Sequence, residues 1–186
     1  MPVATAPASR QLRILEDARN GDQQAFGLLL RRHDDRMRGL AWKLLGDRDR
    51  MDDALQEAYV KAWRSLPGFR LDANFGTWLY RITYNACIDE LRRGGKRPAP
   101  HDFSGTAEQP AVSQAGPERQ VVAADTVNRL LALLPADQRV TVVLVDGEGF
   151  DNQTAARILG VAVGTVASRL FRARATLRAG LGEEER

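Results

Sequence analysis

An all-α chain of two small helical domains is the architecture this sequence predicts, and three observations predict it. Apolar residues recur at three- and four-residue spacings over nearly the whole length, with little of the alternation that marks strands. One stretch breaks the pattern: GGKRPAPHDFSGTAEQPAVSQAGPE, Gly94 to Glu118, whose 25 residues hold four of the eight prolines and four glycines. It lacks apolar periodicity and reads as a Pro/Gly-rich linker. Finally, 186 residues with 44% hydrophobic content suffice for a packed core on either side of that linker.

The N-terminal block, residues 10–93, reads as four helices: Arg10–Asn20, Gln23–Leu45, Asp49–Leu66 and Thr77–Arg93. Asp22, Asp49 and Thr77 suit N-cap or first-turn positions, and Pro67-Gly68 ends the third helix. Within DRMDDALQEAYVKAW, the residues Met51, Ala54, Leu55, Ala58 and Ala62 form one apolar stripe that continues to Leu66. The opposite face carries Asp53, Gln56, Glu57 and Arg64 with Val60 among them. An apolar residue in an acidic-amide patch fits a protein-contact face, and equally an ordinary solvated face.

The next segment, FRLDANFGTWLYRITYNACIDELRRGGKR, places Phe69, Phe75, Trp78, Tyr80 and Tyr84 close to Arg70, Arg81, Arg92 and Arg93. Single-stranded nucleic acid needs that mixture, because rings stack on unpaired bases while arginines track the backbone. A flipped base also needs amide or backbone groups to read its edge, which Asn85 and the loop Leu71–Asn74 offer. At least half of the aromatics are expected to be packing instead, and Trp78, Leu79 and Ile82 to be core.

The C-terminal block, residues 119–182, reads as helices at Val121–Leu134, Ala136–Asp146, Asn152–Leu159 and Val163–Leu181. Pro135 suits the first turn of the second helix and Asp151 the N-cap of the third. DNQTAARILGVAVGTVASRLFRARATLR is a helix, a short turn at Gly160-Val161-Ala162 and a second helix. Ala155, Ala156 and Leu159 face inward on the first. Val166, Leu170, Ala173 and Leu177 give the second an apolar stripe. That leaves two stripes, one of Thr165, Ser168, Arg169, Arg172 and Thr176, the other of Gly164, Ala167, Phe171, Arg174 and Arg178. From Asn152 to Gly182 there are five arginines and no acid, the footprint of a polyanion partner or of a solvated basic face. A helix of this size fits the major groove, where arginine bonds a guanine edge and phenylalanine packs on a thymine methyl. The alternative for Phe171 is packing against another helix of its own domain.

Other chemistry is hard to build from this sequence. One cysteine, Cys87, makes no internal disulfide, and His33 and His101 stand at no metal-ligand spacing from it. No metal, cofactor or catalytic constellation is expected, hence no enzyme. No apolar run has membrane-spanning length, and MPVATAPASR has no apolar core of a secretory signal, so a cytoplasmic location without membrane insertion is expected.

Three pieces taken in order, DDALQEAYVKAW, FRLDANFGTWLYRITYNACIDELRR and ARILGVAVGTVASRLFRARATLR, resemble the bacterial RNA polymerase sigma factors of the extracytoplasmic-function (ECF) class. The likeness covers nearly all the chain except about its first ten residues and the linker. It implies a non-catalytic transcription initiation factor that binds core RNA polymerase and directs it to promoter DNA, and it implies control by an anti-sigma factor. It also implies roles. Asp53, Gln56, Glu57 and Val60 match the helix that docks on the polymerase. Phe69, Arg70, Asp72, Ala73, Asn74 and Phe75, with Arg81 and Asn85, match the loop and pocket that capture an unstacked base of the −10 element. Thr165, Ser168, Arg169, Phe171, Arg172 and Arg174 match the helix that reads the −35 element. Three positions depart from the family pattern: Ala167 replaces a usual Lys or Arg, Asp151-Asn152-Gln153 replaces Ser-Tyr-Glu, and Asp89 puts a negative charge near the base-capture pocket. The competing reading of the helix-turn-helix is a stand-alone repressor or activator, which needs neither the aromatic loop nor the docking helix.

Overall fold

The structure, a computed structural model, describes residues 6–93 and 126–184, with side chains over 10–93 and 126–182. The described residues form helices and turns, with no strand among them. The N-terminal block holds α1 (Ala6–Arg19), α2 (Gln23–Arg31), α3 (Asp34–Leu45), α4 (Arg48–Ser65) and α5 (Phe75–Arg93). The C-terminal block holds α6, helical from 126 to 132, then α7 (Ala136–Val142), α8 (Asn152–Leu159) and α9 (Val163–Glu184). The linker expected at Gly94–Glu118 and the start of the helix expected at Val121 lie outside the described residues.

The N-terminal core forms on α3, where Met37, Leu40, Ala41, Leu44 and Leu45 are buried at spacings that make one continuous stripe. Each fully buried leucine there contributes about 1.5–3 kcal/mol over its exposed state. On α4 the expected stripe is buried residue for residue, from Met51 through Ala54, Leu55, Ala58 and Ala62 to Leu66. Its small residues let α4 lie close on its neighbours α3 and α5. Polar ties fix the register. The Tyr59 hydroxyl donates to Asp34 at 2.7 Å, and Arg38 bridges Asp34 and Asp52 at 2.9 Å each. Arg50 reaches both the carboxylate (3.3 Å) and the backbone carbonyl (3.0 Å) of Glu90.

The segment expected as one helix, Gln23–Leu45, is two. It breaks at Arg32-His33, where the His33 N–H turns back to the Leu30 carbonyl at 2.8 Å. The electrostatics of RRHDD explain the break: Arg31 closes the last turn of α2 and Asp34 and Asp35 open the first turn of α3, so each helix dipole is complemented at its own end. Asp22 caps α2 as expected, accepting from Gln24 and Ala25 N–H. Asp47 rather than Asp49 caps α4, Asp49 lying in the first turn. Gly46, at φ +64°, takes the left-handed position that ends α3. Leu66–Gly68 form a 3-10 turn at the expected Pro-Gly break.

In the C-terminal block, α7 was expected to run to Asp146. It ends at Val142 and widens into a π-turn over Val143–Gly147, and Gly149 then reverses the chain at φ +72°. Arg139 is buried, and its guanidinium donates to the Ala132 and Leu134 carbonyls (3.3 and 3.2 Å) at the open end of α6. Pro135 is the N-cap of α7, one position before the expected first turn.

The two blocks touch. The Tyr80 hydroxyl of α5 donates to Glu148 at 2.6 Å, and its ring meets Phe150 edge-on at 5.0 Å. Arg36 of α3 stands 3.9 Å from the same carboxylate. Tyr80 is 1% exposed as a result, and the burial pushes its hydroxyl well above the usual phenol range. A cavity of about 460 Å³ opens beside this junction, lined by Lys61, Asn85, Asp89 and Arg92 from one block and Leu159 from the other.

Candidate nucleic-acid interface

Three surfaces carry the residues singled out in the sequence. The first is α9. Asp151 caps α8 through the Thr154 N–H at 2.7 Å, and Gly160 at φ +67° turns the chain into α9. Asp151, at the head of Asp-Asn-Gln, thus caps this helix directly. Val166, Leu170 and Ala173 are buried and Leu177 half-buried, so one stripe alone seats the helix. Ser168, Phe171 and Arg172 are exposed, and Phe171 is 77% so. Packing of Phe171 against another helix of its own domain does not occur.

The other arginines of α9 divide into two kinds. Arg169 is mostly covered and ion-paired to Asp137 at 3.1 Å. Arg174 makes a two-point bond to Asp146, at 3.1 and 2.6 Å. Both begin with a carboxylate partner from α7 or the π-turn that follows it. Arg172 and Arg178 have no acidic partner among the described residues, Arg172 instead donating to the Ser168 carbonyl at 3.3 Å. Thr165 is half-buried at the start of the helix. Beside Phe171 lies a groove of about 290 Å³ lined by Asn152, Ala167, Leu170, Arg174 and Arg178. The alanine at position 167 leaves that groove open.

The second surface is the loop between the 3-10 turn and α5. Phe69 and Phe75, expected on the base-capturing surface, are instead buried, 5% exposed each. They form a cluster with Trp78, at ring-centroid distances of 5.0 and 5.4 Å from it and 5.8 Å from each other. The physical reason is that a short loop has no helix or sheet to shape it, so its two ends are closed by rings. Between them Arg70, Asp72, Ala73 and Asn74 are exposed. Arg70 forks onto Asp72 (2.7 and 3.1 Å), which holds the Asp72 carboxyl below its usual range. A turn closes with the Ala73 N–H on the Arg70 carbonyl at 3.0 Å. Asn74 caps α5, accepting at 2.9 Å from the N–H of Thr77, which lies in the first turn as expected. From Asn74 the spacing 4, 3, 4 leads to Trp78, Arg81 and Asn85, one helix face on which Arg81 and Asn85 are exposed. Asp89 is compensated where it stands, 3.4 Å from Lys61 and 3.6 Å from Arg92.

The third surface is the outer face of α4. Asp53, Gln56 and Val60 are exposed, Val60 by 43%. Glu57 is half-buried at the edge, bonded to Lys61 and Arg93, which hold its carboxyl below the usual range. No cluster of His, Cys, Asp or Glu able to hold a metal ion occurs among the described residues, and no single described helix is long and apolar enough to cross a membrane.

A helical block with an exposed loop on a ring cluster, followed by a helix-turn-helix, defines the sigma-70 class: residues 29–97 match Sigma-70 region 2 and residues 124–177 match Sigma-70, region 4. The relatives narrow it. The chain is 44% identical over 164 residues to the ECF RNA polymerase sigma factor SigM of Mycobacterium tuberculosis, a match covering 87% of this chain and 80% of the relative. It is 34% identical over 170 residues to the ECF RNA polymerase sigma-E factor of Escherichia coli, covering 87% and 88%. Two solved structures share the fold. One is CnrH in complex with the cytosolic domain of CnrY (TM-score 0.70, 28% identity, 93% of this chain and 97% of that one). The other is the sigma factor RpoE in complex with the anti-sigma factor NepR from Bartonella quintana (TM-score 0.68, 29% identity, 84% and 96%). This chain belongs to the ECF RNA polymerase sigma factors, transcription initiation factors that direct core polymerase to promoters.

Sequence reasoning missed the junction residues Tyr80, Glu148 and Phe150. Residues 80 and 148 are 68 apart in the chain, and no local period announces such a pair. It also passed over His33, which lay inside a segment read as helix interior.

Proposed function

We propose how the parts divide the work of promoter recognition. Residues 10–93 dock on polymerase and capture the −10 element; residues 119–182 read the −35 element in the major groove. Ser168, Phe171 and Arg172 make the base-edge contacts. Arg169 and Arg174 hold α9 in its domain and reach DNA only by leaving Asp137 and Asp146. Asn74, Ala73, Arg81 and Asn85 receive the unstacked base and its backbone, with Phe69 and Phe75 as their foundation. Asp53, Gln56 and Val60 meet the polymerase, with Glu57 at the margin. The single observation that carries the proposal is Phe171, a large ring held in water on a helix whose apolar stripe is already satisfied.

Two elements about 17 base pairs apart lie roughly 58 Å apart. Asn85 and Leu159 line one cavity, so with Tyr80 bonded to Glu148 the two reading blocks stand far closer than that. The junction therefore opens when polymerase seats the blocks separately, and docking makes the second DNA contact intramolecular. The isolated chain accordingly binds promoter DNA weakly. The chain has no catalytic activity of its own and works in the cytoplasm. An anti-sigma factor controls it, a partner the structure of RpoE with NepR supports by likeness.

Reconstituted transcription tests this. Adding the chain to core polymerase gives initiation at promoters selected from genomic DNA. Phe171→Ala with Arg172→Ala abolishes dependence on the −35 sequence while leaving polymerase binding intact, and Gln56→Ala with Val60→Asp lowers polymerase affinity and total initiation while leaving the −35 preference of the remaining transcription unchanged. Tight promoter binding by the chain without polymerase contradicts the division of labour.

A further inference from the structure

His33 occupies the N-cap of α3, a position that usually carries a side chain bonded to the helix it opens. Its imidazole makes no such bond. It turns instead onto the base of the exposed loop. The ring lies 5.6 Å from Phe75, tilted at 47°. A Cβ built on Gly76 would stand 3.0 Å from His33 Cε1 and 3.2 Å from Asn74 Oδ1. The imidazole therefore rests against the backbone of the second residue of α5, between the ring that closes the loop and the asparagine that caps the helix. The break between α2 and α3 gives it this place, because a continuous helix would carry residue 33 past the turn. Burial, with Arg36 and Arg32 nearby, holds His33 below the usual imidazole range, so the ring packs uncharged.

We propose that His33 is a positioning residue for base capture: it sets the direction of the first turn of α5, and through it the placement of Asn74 and Ala73. The inference rests on assigning the Arg70–Asn74 loop to the −10 base. Phe69 and Phe75 fix where the loop begins and ends. The buried face of α5 seats the helix as a whole, and the imidazole adds a contact at the backbone of Gly76 itself, where His33 is the nearest side chain from another helix. Gly76 is then glycine for the sake of that contact. Its φ is not left-handed, and alanine is otherwise the better helix former.

The test uses holoenzyme reconstituted from core polymerase and the full chain. The probes are four non-template-strand oligonucleotides that differ at one −10 base of a promoter the wild-type holoenzyme transcribes. His33→Ala lowers discrimination among the four by roughly tenfold, the scale of one weakened base contact, with affinity for core polymerase unchanged. His33→Phe, which keeps a ring on Gly76, retains most of the discrimination. Gly76→Ala lowers it, because the imidazole must yield by a few tenths of an ångström. The double variant His33→Ala with Gly76→Ala recovers part of the loss, a coupling that independent sites do not show. If His33→Ala keeps wild-type discrimination while Asn85→Ala or Ala73→Asp destroys it, base capture stands and the role of His33 is overturned. If Asn85→Ala and Ala73→Asp leave discrimination untouched, the loop assignment fails and takes the inference with it. A His33→Ala chain that loses polymerase affinity and discrimination in equal measure overturns positioning in favour of a purely structural histidine.

Discussion

Phe75 and Phe171 both stand at surfaces assigned to DNA, yet one is 5% exposed and the other 77%. The difference lies in what supports each surface. The loop before α5 has few backbone bonds of its own, so it borrows rigidity from rings packed beneath it. The helix α9 is rigid through its own hydrogen bonds and one apolar stripe, and its aromatic is free to face outward. The loop thus commits its aromatics to its foundation, and the helix keeps one at its surface.

The sharpest way to break that contrast is to truncate both rings. Phe75→Ala removes a buried ring and should cost about 3–5 kcal/mol of stability, whereas Phe171→Ala should stay within about 0.5 kcal/mol yet lose −35-dependent transcription. Denaturant unfolding measures the first pair of values, and run-off transcription the last. Cys87 makes the comparison local. It is fully buried on the inner face of α5, and burial pushes its thiol from the ordinary 9.0 up to about 12. It should resist alkylation at pH 8 in the wild type and label quickly in Phe75→Ala, reporting opening of the N-terminal block alone. The raised thiol pKa has a sign. Its contribution to stability is whole below pH 9 and is lost as pH climbs toward about 12, so labelling and unfolding should both accelerate across that window.

The contrast also explains what could be read from the sequence. The stripes on α4 and α9 were legible because helical periodicity records which face is buried, and Phe171 was legible because it fell off its stripe. The loop was only half legible. Interleaved aromatics and arginines mark a nucleic-acid surface and a ring-braced loop equally, and the spacing of Phe69 and Phe75 does not say which way rings point. The break at His33 left a local trace, basic residues closing one helix and acidic residues opening the next, which was overridden by the apolar period running through it. The Tyr80–Glu148 bond left none, since it depends on how two blocks meet.

That junction supplies the next test. Tyr80→Phe removes one hydroxyl and leaves a half-buried carboxylate without its 2.6 Å donor, with Arg36 still 3.9 Å away. The loss should be about 1.5–3 kcal/mol at most, the worth of a hydrogen bond to a charged group, felt by the contact between blocks more than by either core. Distance measurements between labels on α4 and α9 should show a larger open fraction, with the far-UV helical signal unchanged. If the blocks open no more than in the wild type, Phe150 and the packing of α5 on α8 hold the junction without the bond.

The smallest effect separates the arginines of α9 from each other. Arg172 is exposed and unpaired to any acid among the described residues, whereas Arg174 already gives both arms of its guanidinium to Asp146. Arg172→Ala should cost about 1–3 kcal/mol of discrimination if the side chain reads a base, or lower the salt slope by about one unit if it meets a phosphate. Arg174→Ala should change promoter affinity by less than about twofold, because an exposed, internally paired charge has little left to give DNA. Asp146→Ala is the decisive companion. It frees Arg174 beside the open groove at Ala167, so promoter affinity should rise at low salt and the gain should vanish as salt is added. A fall in affinity instead would mean that Asp146 orients Arg174 toward a phosphate rather than withholding it, and the division of α9 into reading and anchoring arginines would have to be redrawn at that residue.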